Sequence, residues 1–173
     1  EYNPGPKRAY SRATSAHNTF NLDGEDQSEF WKAFRVGRRA HITRCDYRTT
    51  ETGFHLTGSH DGYTRLEGRP MHTRSFEVSA DEITITDKIT DGAGQLAQAV
   101  LLLHPDAQIA QSQDDRLEII VGSVKVEVSA SAAIIAQDAS WHPDQGIDLP
   151  TKKLCINFGH SPCQGQFKLR KIS

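Results

Sequence analysis

Strict apolar–polar alternation, closely spaced turn residues and scarce helical signals predict an all-β chain, an antiparallel β-sandwich of about ten or more strands with at most a short helical turn. The alternation is clearest where Phe76 and Val78 interleave with Ser75 and Glu77, pass a polar turn at 79–82, and give way to Ile83 and Ile85 against Thr84 and Thr86. That pattern is a hairpin with one wetted face. The turn chemistry is clearest at Gly122-Ser123, which separates Leu117, Ile119 and Val121 from Val124, Val126 and Val128. Two residues of that type between alternating runs mark a tight hairpin. A chain of 173 residues is long enough to bury a core without covalent staples, so 1–173 is expected to form a single sandwich domain.

Taken in order, the segment before Phe20 is polar and receives no assigned element. At 28–34 a serine precedes Phe30, Trp31 and Phe34 at helical spacing, which predicts one or two helical turns. Further strands are predicted at 39–49, 53–59, 97–103, 107–112, 132–136, 154–158 and 166–171, where Phe167 and Leu169 face inward and Lys168 and Arg170 outward. His-Pro-Asp occurs at 104–106 and again at 142–144, each time after an apolar run, so both read as turns.

Several classes of function are excluded by composition. The longest apolar runs, 99–103 and 132–136, fall far short of the ~20 residues of a spanning helix, so no membrane partner is expected. A net charge of −2 gives no overall basic field, so nucleic acid is not expected either. Cys45, Cys155 and Cys163 are too few for a disulfide framework. Cys155, His160 and Cys163 have ligand-like spacing but lack a fourth ligand. The chain opens Glu1-Tyr2-Asn3-Pro4 and its single methionine is Met71, as expected of a processed chain or a piece of a longer one.

Charge is unevenly spread: residues 1–75 carry 12 basic and 9 acidic side chains. The basic residues concentrate as Lys32, Arg35, Arg38, Arg39, Arg44 and Arg48 against Asp46 alone, with Trp31, Phe34 and Tyr47 among them. Arginine grips carboxylate or sulfate in two-pronged fashion, so the stretch could meet an anionic polymer; an ordinary solvated strand face is the alternative.

The N-terminal segment is the most unusual, packing Tyr, Arg, Ser, Thr, His and Asn with almost nothing apolar before Phe20. Within it, His17-Asn18 could supply a metal ligand or an acid–base group with an adjacent amide, or His17 could be structural. The run from Tyr10 through Arg12, Thr14, His17-Asn18-Thr19, then Asp23-Gly24-Glu25-Asp26-Gln27 and Phe30-Trp31, resembles the heparinase II/III family of polysaccharide lyases. Ser59-His60-Asp61-Gly62-Tyr63-Thr64-Arg65-Leu66 and His72-Thr73-Arg74-Ser75-Phe76 extend the resemblance. Ala13 stands where the family more often has serine.

The resemblance implies the C-terminal sheet domain of a larger enzyme whose N-terminal α/α-barrel lies outside this chain and whose substrate is an acidic polysaccharide. It implies a zinc site in the intact protein, with His17 as one ligand, and no zinc held by the fragment alone. Tyr2 falls near a substrate-proximal tyrosine of some members and is a candidate catalytic residue. Arg8, Arg12, Asn18, His60 and Tyr63 are candidate substrate-binding residues; for His60 and Tyr63 an Asp-Gly turn with a packed tyrosine is the alternative. The implied reaction is β-elimination at a uronic acid, the fragment alone being inactive. A periplasmic or secreted location follows from the usual handling of polymeric substrates. The second reading is a non-catalytic carbohydrate-binding or structural module.

Overall fold

Two antiparallel sheets face each other across one apolar core. The computed structural model describes residues 5–31, 35–144 and 146–172. The large sheet runs β4 (Ile42–Thr49), β5 (Phe54–His60), β6 (Met71–Val78), β7 (Glu82–Thr90), β14 (Cys163–Lys171), β11 (Val124–Ala130), β10 (Arg116–Val121) and β9 (Gln108–Gln113). The small sheet runs β1 (Phe20–Leu22), β8 (Leu96–Leu102), β13 (Leu149–His160) and β12 (Ile134–Trp141). The predicted antiparallel sandwich is the observed architecture, with both hairpins in place: Phe76 pairs Ile85 around the 79–82 turn, and Val121 pairs Val124 across Gly122-Ser123.

The core follows from the alternation. Ile85, Ile89, Leu117, Ile119, Val128 and Phe167 from the large sheet meet Phe20, Leu22, Ala97, Ala99, Ile134, Leu154 and Ile156 from the small one. Gly165 sets the closeness of β14 to β13, because a Cβ there would lie 2.0 Å from the Phe158 ring. β4, at the sheet's edge, has all eight residues exposed. Arg44 and Arg48 on it guard the open strand edge against pairing.

The helical turn is not where the sequence predicts it. Phe30–Trp31 (β2) pairs antiparallel with Arg35–Val36 (β3) as a two-stranded ribbon, and Ser28 Oγ accepts the Ala40 N–H at 3.0 Å instead of capping a helix. A partner two turns downstream outcompetes local helical spacing for so short a segment. The helix is α1, Pro6–Arg12, started by proline in its first turn and ended at Ala13. It has no buried residue, so no apolar stripe announces it. Tertiary ties hold it instead: the Tyr10 hydroxyl donates to the Ser140 carbonyl at 3.1 Å and lies 3.2 Å from the Ser140 N–H.

Candidate functional site

After α1 the chain makes a single 3-10 turn, Thr14–Ala16, and presents His17 and Asn18 before entering β1. The segment Asp26-Gln27 clamps this loop from behind. Asp26 Oδ1 accepts the Thr14 N–H at 2.6 Å, Thr14 Oγ1 accepts the Gln27 N–H at 2.9 Å, and the Gln27 side-chain amide donates to Thr19 Oγ1 at 2.8 Å and the Phe20 carbonyl at 3.2 Å. The two sequence segments that carry the resemblance are therefore one structural unit.

His17 and Asn18 are exposed. His17 Nε2 lies 3.1 Å from the Ser11 carbonyl, which can only accept, so Nε2 carries hydrogen, and in the neutral ring Nδ1 is the nitrogen with the lone pair. Asn18 Oδ1 accepts the Leu102 N–H at 2.6 Å, and its carbonyl accepts from Arg74 Nη1 at 3.1 Å. Asn18 is thus braced from β8 and from β6.

Around the loop lie two adjoining hollows. One, about 250 Å³, is lined by Tyr10, His17, Leu102, Trp141 and His142 among others. The other, about 410 Å³, is lined by Lys7, Arg8, Arg12, His142, Asp144 and Asp148 among others. The structure therefore gathers Arg8, Arg12 and His17 on one flank of the molecule. Arg12 also lies over the Phe30 ring, 4.2 Å from its centroid, which joins α1 to the β2–β3 ribbon.

His142 was legible only as a turn residue. In the structure its Nδ1 lies 2.6 Å from Ser11 Oγ and its Nε2 3.4 Å from Asp148. Ser11 Oγ also lies 2.9 Å from the Lys7 carbonyl. With Lys7 bridging to Asp148 at 3.2 Å, the group ties α1 to the loop after β12. The Asp148 carboxyl is held below its ordinary range by Lys7 and Ser140 hydrogen bonds and the charges of Lys7 and His142.

Two of the predicted substrate contacts are corrected. Tyr63 is completely buried, and its hydroxyl donates to the Phe20 carbonyl at 2.7 Å; it supports β1 from inside and presents nothing to a ligand. Burial raises its phenol pKa. His60 has both ring nitrogens engaged, Nε2 with His72 Nδ1 at 3.0 Å and Nδ1 with the Gly62 N–H at 3.1 Å, so it too faces protein. Tyr2 lies outside the described residues.

Behind β1 the strand register builds a polar cluster inside the large sheet. His60 sits opposite His72, and Arg74 opposite Asp87. His72 Nε2 lies 2.7 Å from Asp87 Oδ1, which Arg74 Nε also reaches at 2.7 Å, while Arg74 Nη2 takes Asp87 Oδ2 at 2.8 Å. Burial pushes the Asp87 carboxyl up, but the His72 and Arg74 hydrogen bonds and the Arg74 charge hold it below the ordinary value. Asp87 was not singled out in the sequence. Its signal was available, since it occupies the inward position shared by Ile83, Ile85 and Ile89.

Among the described residues no group of three or more His, Cys, Asp or Glu side chains converges to hold a metal. His17 is therefore at most one ligand of a centre completed from elsewhere.

The sequence matches the profile of the family described as Heparinase II/III-like, C-terminal, over residues 1–166. The chain belongs to that family. Solved structures agree in fold. The heparan sulfate lyase HepC from Pedobacter heparinus superposes with a TM-score of 0.75 at 12% identity over 96% of this chain and 26% of its own. A heparinase III gene product gives 0.75 at 14% identity, over 96% and 25%. A further heparinase III gives 0.68 at 12%, over 96% and 25%. This heparinase-like chain thus spans about a quarter of the length of the structures it matches. No curated protein sequence matches it.

Proposed function

We propose that this domain is the C-terminal part of a polysaccharide lyase that cleaves uronic-acid-containing acidic glycans by β-elimination. The observation that carries the reading is the clustering of His17, Arg8 and Arg12 on one exposed flank, in a chain whose family profile extends over residues 1–166. In such a reaction the proton beside the uronate carboxyl is removed and the sugar oxygen at the neighbouring carbon departs. Cationic groups that neutralise the carboxylate make the carbanion-like state accessible. Arg8, Arg12 and Lys7 would face the anionic chain, with Asp144 and Asp148 limiting how much negative charge the cleft accepts. A base and an acid complete the reaction. Tyr2 is a candidate for the proton transfer.

Zinc would be held by His17 together with ligands from upstream sequence, and it would supply electrostatic stabilisation at the cleft. The Ser11 carbonyl orients the ring, as outer-shell acceptors do for ligating histidines. The 173 residues form one unit that supplies a wall of the cleft and turns nothing over alone. Exposed Trp31, Ile42 and Tyr47, 59%, 78% and 63% accessible, offer the remainder of the parent an apolar surface. A polymeric substrate implies an enzyme working in the periplasm or outside the cell.

Incubating the full-length parent with a panel of uronic-acid polysaccharides, and following absorbance of unsaturated uronate ends, tests the reading. New unsaturated ends from the parent and none from the 173-residue chain are expected. Binding to the same polymers without new ends would replace the lyase by a carbohydrate-binding module.

A further inference from the structure

The chain of hydrogen bonds behind β1 has only one direction. The Gly62 N–H is an obligate donor and points at His60 Nδ1, so the hydrogen of His60 resides on Nε2. That hydrogen faces His72 Nδ1, which leaves His72 to donate through Nε2 to Asp87. Glycine is needed at 62 for this approach, because a Cβ there would sit 2.6 Å from the Gln27 carbonyl and 3.0 Å from His60 Nδ1. A proton added to His60 has one place to go, Nδ1, where it would meet the Gly62 N–H head on.

This chain grips the residues that follow His17. The His72 ring stacks on Phe20, with centroids 4.7 Å apart. Tyr63, which lies against His60 at 5.7 Å, holds the Phe20 carbonyl. Arg74, locked onto both Asp87 oxygens, holds the Asn18 carbonyl. Of the groups that hold positions 18–20, His60 touches His72 and Tyr63, while Gln27 and Leu102 hold the same positions from outside the chain of histidines.

We propose that the His60–His72–Asp87 chain is an acid switch on the His17–Asn18 loop: protonation of His60 breaks the chain at Gly62 and weakens the inner hold on Asn18 and Phe20. As regulation of the His17 site, the proposal rests on the reading above, although the loop movement does not depend on catalysis.

The surrounding charges support a switch that acts below neutrality. The His60 pKa is lowered to about 4, first by burial, with the Arg74 charge adding to it and Asp61 opposing. Asp61 is committed elsewhere, accepting the His41 N–H at 2.7 Å with the His41 ring at 3.5 Å, and it also feels Arg38. From β7 the facing group is Asp87, already neutralised by Arg74. On β14, beyond Asp87, lies Cys163, whose thiol is pushed up by burial and by Asp87. From β1 the facing side chain is the Phe20 ring. No described element supplies His60 with an uncommitted anion.

Ring-nitrogen and amide NMR of the 173-residue chain, titrated from about pH 7.5 to about 3.5, tests this. His60 should show hydrogen on Nε2 alone at neutral pH and titrate near pH 4. The Asn18 and Phe20 amides should shift with the same midpoint, and that component should vanish in His60→Gln. A His60 midpoint near 6.5, or Asn18 and Phe20 amides that ignore it, would overturn the proposal. If His60→Gln does not fold, the wild-type titration alone decides. Matching midpoints alongside a parent without lyase activity would leave the switch standing and remove the site reading.

Discussion

The loop of His17 and Asn18 is held between two regions of opposite character. On its outer side α1 and the turn after β12 offer exposed or half-exposed charge: Lys7, Arg8, Arg12, His142, Asp144 and Asp148. On its inner side His60, His72, Arg74 and Asp87 form a closed network in which both Asp87 oxygens and all four imidazole nitrogens have partners. The outer region takes Arg12 from the 10–19 motif, and the inner one takes His60, His72 and Arg74 from the 59–66 and 72–76 motifs. The difference is one of burial: the outer groups stand open to solvent, whereas the inner ones are largely enclosed and spent on positioning. A buried, fully satisfied network acts as a brace, whereas an open charged flank stays within reach of a ligand.

The sharpest way to break the inner region is Asp87→Ala, which leaves Arg74 and His72 buried without their anion. It should destabilise the domain by about 3–5 kcal/mol in denaturant unfolding. An effect below ~1 kcal/mol would mean that water replaces the carboxylate and that the network is not closed. Next is Gly165→Ala, far from both regions, where the new methyl must displace the Phe158 ring. A loss of about 1–3 kcal/mol is expected, with His17-loop amide shifts unchanged.

Acidification should act on the inner region at a similar scale. His60 binds its proton less readily folded than unfolded, at about 4 against 6.5, so its contribution is intact above 6.5, falls as pH drops through that window, and levels off below about 4. Asp87, held low, adds a loss at still lower pH. Stability at pH 4.5 should be lower than at 7 by at most ~3 kcal/mol from His60, and His60→Gln should flatten that slope. The smallest effect belongs to Tyr63→Phe. Gln27 still donates to the Phe20 carbonyl, so about 1 kcal/mol is expected, together with unchanged affinity for acidic polysaccharide, since the ring is buried.

Much of the scaffold was readable because period-two alternation reports directly which side chains face a core; the 76–85 and 117–128 hairpins illustrate it. The helix was not readable, since Pro6–Arg12 buries no residue and is stabilised by Tyr10 reaching Ser140, 130 positions away. The helical turn expected at 28–34 fails for the same reason: Ser28 answers to Ala40. Three-residue β1 carries too little alternation to register. His17 stands out in the sequence by its motif, but motif membership alone does not separate a ligand-facing residue from a brace. Tyr63 and His60 belong to another motif of the same resemblance and engage protein, which only the burial of Tyr63 and the pairing of His60 with His72 show.

The central claim is that His17 belongs to the working flank. In the full-length parent, His17→Ala and Tyr63→Phe should be compared for zinc content and for formation of unsaturated uronate ends. The account predicts that His17→Ala loses zinc and activity together while Tyr63→Phe keeps both; zinc and rate unchanged in His17→Ala would contradict it.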